Sequence, residues 1–299
     1  MNNLISINDI TLNEKYNIFE RAKLGDNIFK EYYGYLKDKV LASLFLQPST
    51  RTQLSFQAAF TKLGGTYIGF SDINTSRSGP PYYEPIDDMG RIVSNYCDII
   101  VMRTINATYT SALLEGASVP VISAGSGNIE HPTQALTDLY TLTTYIGNDL
   151  SGLNILIICT PRQRTINSFL LGLSKWQNIT NHILCQHGVI LSDFVLENLT
   201  SSMKIYYYSS KDIFLESGYA HTIDVIYMDK IFNETTEFNE FSLTEHELYY
   251  SFRKDIMILH PLPRTKELPK VFDKHPGALY FSQAKNGLYV RASLFLSYF

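Results

Sequence analysis

The sequence predicts an α/β protein of two domains, each a mostly parallel sheet flanked by helices. Three observations lead there. Short apolar runs, such as residues 40–46 and 154–159, alternate with amphipathic segments in both halves of the chain, and that alternation lays helices over parallel strands. The 299 residues suit two domains at roughly 100–200 residues each. Apolar residues make up 45% and charged residues 18%, enough for cores and too little charge for a disordered chain.

The elements follow in order. Thr11-Leu12-Asn13-Glu14 is a capping box that opens a helix running to Ala22, because hydroxyl and carboxylate each satisfy the other residue's backbone N–H. Residues 40–46 read as a buried strand and 52–63 as a helix stopped by Gly64-Gly65. Further strands are expected at 66–70, 99–103 and 119–123. Pro132 and Gly147 bracket a helix over 133–146, the usual asymmetry of helix ends. The second half repeats the scheme, with strands at 154–159, 183–186, 204–208, 224–228 and 256–260, a helix at 165–176 and a closing helix at 284–297. The punctuation at Gly147–Gly152 gives domains of 1–147 and 148–283, and residues 232–244 form a polar loop.

Composition excludes several classes of function. The net charge is −4 with no long basic block, which argues against a nucleic-acid partner. Cys97, Cys159 and Cys185 are odd in number and widely spaced, as in a chain without a disulfide framework in a reducing, cytoplasmic compartment. No run of about 18 apolar residues offers a membrane span, and the N-terminus lacks a signal peptide's basic and apolar regions. There is no Walker A sequence, no GxGxxG after a strand and no HExxH. No metal site and no cofactor are expected.

Ligands of α/β sheets sit beyond the carboxyl ends of strands, and the loops there carry the chemistry-bearing residues. Gln47-Pro48-Ser49-Thr50-Arg51-Thr52 follows a strand and opens a helix. Hydroxyls and unpaired N–H groups at a helix N-terminus suit an anion, and an arginine in the same turn adds a fork for phosphate. One hydroxyl would suffice for capping, so Ser-Thr-Arg-Thr points to phosphate. His131-Pro132-Thr133-Gln134 also opens a helix and offers an imidazole and an amide; taken alone, it is equally well a helix boundary. His260-Pro261-Leu262-Pro263-Arg264 is a stiff turn able to present fixed carbonyls. Arg103 and Arg164 stand at strand ends as candidate anion ligands.

In this order, with Gln283 and Asn286-Gly287-Leu288-Tyr289-Val290-Arg291 at the close, these motifs resemble the aspartate/ornithine carbamoyltransferase family over nearly the whole chain. The HPLPR form is similar to the aspartate branch. The resemblance implies a carbamoyl-phosphate domain and an amino-acid domain, with the active site in the cleft between them. It also implies that helix 284–299 packs back on the first domain, and a homotrimer with sites shared between neighbours. The implied reaction carries a carbamoyl group from carbamoyl phosphate to an amine, with aspartate as the family default. Ser49, Thr50, Arg51 and Thr52 would hold phosphate. Thr52, Arg103 and His131 would polarise the carbamoyl oxygen. Gln134 and the carbonyls of Pro261 and Leu262 would hold the carbamoyl NH2, and Arg164 the acceptor's α-carboxylate. Regulatory partner subunits are left open.

Two stretches depart from the family. Its aspartate branch has a mobile loop with a serine followed shortly by a lysine; here Ser76 is kept, but 77–85 is Arg-Ser-Gly-Pro-Pro-Tyr-Tyr-Glu-Pro, with Arg77 as the nearest cation. After strand 224–228 the branch carries Arg-x-Gln to read the acceptor's side-chain carboxylate; here Lys230 and Phe232 take those places, and Asp229 adds a negative charge. Three readings follow: an aspartate enzyme with Arg77 and Lys230 compensating, a carbamoyltransferase of a specialised pathway acting on another amine, or a non-catalytic scaffold subunit with the same fold.

Overall fold

The computed structural model describes residues 2–231 and 240–299; Phe232 lies outside them. The chain forms two compact units, Met1–Tyr140 with Lys285–Phe299, and Thr141–Ala284.

In the first unit, α1 (Leu12–Ala22) and α2 (Ile28–Glu31) precede β1 (Val40–Phe45), α3 (Thr50–Lys62), β2 (Thr66–Phe70), α4 (Ile86–Val93), β3 (Ile99–Thr104), α5 (Ala107–Gly116), β4 (Val121–Ser126) and the start of α6 (Pro132–Ile146). The capping box at Thr11 and Glu14 forms as expected. The four strands are parallel in the order β2-β1-β3-β4. β1 is buried from Leu41 onward, as a central parallel strand must be. β4 starts at Val121 rather than 119, because Pro120 has no N–H for the ladder and contributes only its carbonyl, to Ile100 N at 2.9 Å. Helices α4 and α5 touch backbone to backbone: a Cβ on Gly116 would come within 1.9 Å of Asp87 O.

In the second unit, β5 (Asn154–Ile158), α7 (Arg164–Leu173), β6 (Thr180–Leu184), α8 (Asp193–Asn198), β7 (Lys204–Tyr208), α9 (Lys211–Glu216), β8 (Val225–Met228), α10 (Glu245–Tyr250), β9 (Met257–Leu259) and the start of α11 (Tyr280–Phe295) follow, the rest of α11 belonging to the first unit. All strands are parallel in the order β7-β6-β5-β8-β9. Leu156, Ile158, Ile226, Met228 and Ile258 pack with Phe252 and Tyr280 in its core. β6 begins three residues before the expected 183. Its first half is Thr-Asn-His, and Asn181 and His182 are buried, so apolar patterning could not show it. The divisions between units, at Tyr140/Thr141 and Ala284/Lys285, both fall inside helices, α6 and α11.

Candidate active site

β1, β3 and β4 are neighbours, and the loops leaving their carboxyl ends carry the candidates of the first unit. Ser49 occupies the N-cap position of α3, yet its side chain makes no capping hydrogen bond. Thr11 and Asn106, by contrast, cap α1 and α5 with their side-chain oxygens. The Ser49 hydroxyl is therefore not spent on the helix. Thr50 and Arg51 are exposed and Thr52 is buried. Arg51 has no ion-pair or hydrogen-bond partner among the described residues; desolvation by partial burial lowers its pKa, and no carboxylate opposes the shift. Open N–H groups, hydroxyls and an unneutralised guanidinium on one helical turn can receive a tetrahedral anion.

Arg103, near the end of β3, is half-buried. Its Nε donates to Gln47 Oε1 at 3.2 Å and its Nη1 to Ala124 O at 3.5 Å. Gln47 thus ties Arg103 to the loop that leads into Ser49. His131 is 3% exposed and stands just before α6. Gln134, in the first turn of α6, donates from Nε2 to Asp138 Oδ1 at 2.7 Å. That bond fixes the amide, so its Oε1 is the end left to accept from a ligand N–H.

The 71–85 segment folds on itself. Ser76 donates its hydroxyl to Ile73 O at 2.9 Å, and Glu84 N donates to Arg77 O at 2.9 Å. The Arg77 guanidinium lies over the Tyr82 ring at 4.9 Å, a cation–π contact rather than an ion pair.

In the second unit, Arg164 opens α7 half-buried; burial lowers its pKa, and the charge of Asp229 opposes that. Asp229, which adds a negative charge in the sequence, is buried among donors. It is 5% exposed, accepts from the Thr165 hydroxyl and takes Lys230 N at 2.7 Å. Burial raises its pKa against the pull of those donors. The Lys230 carbonyl accepts from Gln163 Nε2 at 2.9 Å, so its backbone is held from two sides. The Lys230 ammonium has no partner among the described residues.

The 260–264 turn is set by a buried pair. Leu262 N donates to His260 Nδ1 at 2.7 Å, so Nδ1 is bare and Nε2 carries the proton toward Glu267, 3.1 Å away. Gln283 Oε1 accepts from His260 N at 3.0 Å. Leu262 sits at φ 54°, a left-handed conformation that costs a branched residue energy and persists because the imidazole holds its N–H. Pro261 and Leu262 are half-buried, and Arg264 is paired with Asp273. Burial alone would raise Glu267, but hydrogen bonds from His260 and Thr265 bring its pKa down to about 2 from 4.5. A carboxylate depressed on folding contributes stability that is complete above its unfolded value and is lost as pH falls through the folded one. Urea unfolding of the native chain should therefore lose stability between pH 4.5 and about 2, and Glu267→Gln should flatten that stretch. An unchanged acid slope would overturn the pairing.

Among the described residues no group of three or more His, Cys, Asp or Glu could hold a metal ion, and no helix is long and apolar enough to cross a membrane. The sequence reading missed Asp138 and Glu267, and quoted Gln283 in the closing motif without giving it a supporting role. Each is a lone buried polar residue whose partner only the fold supplies.

Two family models match the chain: the carbamoyl-P binding domain of aspartate/ornithine carbamoyltransferases over residues 2–144, and their Asp/Orn binding domain over residues 151–298. The aspartate carbamoyltransferase catalytic subunit of Clostridium acetobutylicum is 36% identical, over 97% of this chain and 95% of its own length. Among solved structures, the catalytic subunit of M. jannaschii aspartate transcarbamoylase superposes with a TM-score of 0.86 at 31% identity, covering 99% of this chain and 97% of that one. Aspartate transcarbamoylase of Trypanosoma cruzi, in complex with aspartate and phosphate, does so with a TM-score of 0.89 at 26% identity, covering 99% and 94%.

Proposed function

Because this chain belongs to the aspartate/ornithine carbamoyltransferase family and is a carbamoyltransferase, we propose that its first unit binds carbamoyl phosphate and its second unit an amino-acid acceptor, with aspartate as that acceptor. The observation that carries the first half is the open N-terminus of α3, where Ser49 leaves its hydroxyl unused and Arg51 has no anionic partner. The acceptor nitrogen attacks the carbamoyl carbon, the C–N bond forms, the C–O bond to phosphorus breaks, and phosphate leaves with the proton the amine gives up. Ser49, Thr50, Arg51 and Thr52 hold the phosphoryl oxygens. Thr52, Arg103 and His131 stabilise the negative charge that builds on the carbamoyl oxygen, the step where preformed donors accelerate most. Gln134 Oε1 and the carbonyls of Pro261 and Leu262 accept from the carbamoyl NH2. Arg164 takes the α-carboxylate and Lys230 the side-chain carboxylate. Two placed reactants also escape most of the entropic cost of meeting in solution.

The protein acts as a homotrimer in this reading, with the 71–85 segment lending Ser76 and Arg77 to a neighbour's site. The edge strand β2 supports such assembly: Tyr67 and Ile68 are 48% and 42% exposed and Leu54 on α3 is 58% exposed, an apolar edge that a lone domain would leave open to pairing.

A second reading, another amine as acceptor, is favoured by Lys230 standing where a forked cation would read a carboxylate, and by a 71–85 segment without lysine. An acceptor screen separates the two: carbamoyl phosphate with a panel of amines, following phosphate release and product mass. We expect turnover with aspartate to exceed that with other amines. Turnover confined to a non-acidic amine would select the second reading. No turnover, and no thermal stabilisation by carbamoyl phosphate, would select the scaffold.

A further inference from the structure

We infer that Arg291, on α11, is a positioning residue that fixes which end of the Gln134 amide meets the carbamoyl group, acting through Asp138. This rests on the reading that Gln134 accepts from the carbamoyl NH2.

An ionised carboxylate only accepts hydrogen bonds, whereas a protonated one also donates. Facing an acceptor, the Gln134 amide turns its NH2 inward and its oxygen toward the ligand. Facing a donor, it turns the other way and presents NH2 to NH2. Asp138 is 0% exposed, and a carboxylate in that position holds its charge only with donors or a cation close by. Asp138 is also the charge that acts on Arg291, itself 4% exposed.

The fold builds a place for this cation. The Arg291 guanidinium carbon lies 5.0 Å from the centre of the Phe56 ring on α3, and its Nε has no hydrogen-bond partner among the described residues. A buried arginine that leaves a donor unfilled is costly if packing is its sole task. Gly287, one turn earlier on α11, makes the room: a Cβ there would come within 2.3 Å of Nη1 and 3.4 Å of Thr137 Cγ2. Arg291 therefore stands by the phosphate-binding helix through Phe56 and by the carbamoyl-reading helix beside Thr137, the chain neighbour of Asp138. The motif Asn286-Gly287…Arg291, unused by the reaction itself, acquires a task.

The test compares carbamoyl phosphate with acetyl phosphate, which puts a methyl group where the NH2 stands, and with inorganic phosphate. Dissociation constants are measured on the native protein, Arg291→Gln, Asp138→Asn and Gln134→Ala. We expect the native protein to prefer carbamoyl over acetyl phosphate. Arg291→Gln and Asp138→Asn should erode that preference about tenfold, the size of one well-placed hydrogen bond, with phosphate binding held within about twofold. If the two variants keep the native preference while Gln134→Ala loses it, the role of Arg291 is overturned and the Gln134 reading survives. If Gln134→Ala keeps it too, the Gln134 reading falls first. A loss of all three ligands together would mark Arg291 as merely structural. Should Arg291→Gln not fold, Gly287→Ala, which keeps the cation but crowds it, carries the same comparison.

Discussion

Replacing Arg51 by alanine should lower turnover by about 10³-fold, the cost of removing a charged donor from a developing anion, while leaving the melting temperature of the ligand-free protein unchanged. The two effects separate because Arg51 is exposed and makes no ion pair or hydrogen bond among the described residues; surface residues without partners seldom move stability. Ligand should no longer stabilise the variant either. A ligand at 100 times its dissociation constant stabilises a protein by about 2.7 kcal/mol, so carbamoyl phosphate should raise the melting point of the native chain and not that of Arg51→Ala. Native turnover in the variant would remove the phosphate site from the start of α3.

The same variant tests the shared loop. Arg77→Ala subunits should be slow for want of the neighbour's cation. Mixed with Arg51→Ala subunits and reassembled, they should regain activity, since some sites then combine an intact Arg51 with an intact Arg77. Full activity of Arg77→Ala alone, or no recovery on mixing, would place the whole reaction within one subunit.

Much of this was legible in the chain because strand ends and helix starts leave strong local signals. The capping box at Thr11 and Glu14 and the runs of β1 and β3 need no tertiary knowledge. Ser49–Thr52 stood out as a candidate anion site because its excess of hydroxyls goes beyond what a cap requires. The rest was hidden where buried polar residues replace apolar ones. β6 hides behind Asn181 and His182, the latter bonded by Nδ1 to Tyr208 OH at 2.9 Å. The setting of Asp229 was hidden for the same reason: the sequence shows a carboxylate beside a candidate acceptor loop but not the donors that hold it. In the fold it is buried and held by Thr165 and by Lys230 N. Asp138 and Glu267 are invisible because their partners, Gln134 and His260, lie four and seven residues away across a helix turn and a loop, and nothing in composition marks them.

Arg164→Ala should raise the acceptor's KM by about 10²-fold, the loss of a charge-assisted fork on a carboxylate, and leave carbamoyl-phosphate binding intact. Arg164 is half-buried with its pKa lowered by burial, so an incoming carboxylate meets a partly desolvated cation that water screens less than it would a surface arginine. Lys230 then decides between the acceptors. Its ammonium is unpartnered among the described residues, while its backbone is fixed by Gln163 and Asp229, so Lys230→Met removes a charge without releasing the loop. If the acceptor is aspartate, its second carboxylate loses a partner, and KM should rise about tenfold with kcat little changed, the mark of lost ground-state binding. If the acceptor carries no side-chain acid, the same change should leave KM where it was. Lys230→Arg adds the sign: a forked cation should improve aspartate and do nothing for a neutral side chain. A chain in which neither substitution moves the KM of aspartate, yet Arg164→Ala does, reads the α-carboxylate alone, and its side-chain specificity must then come from residues other than Lys230.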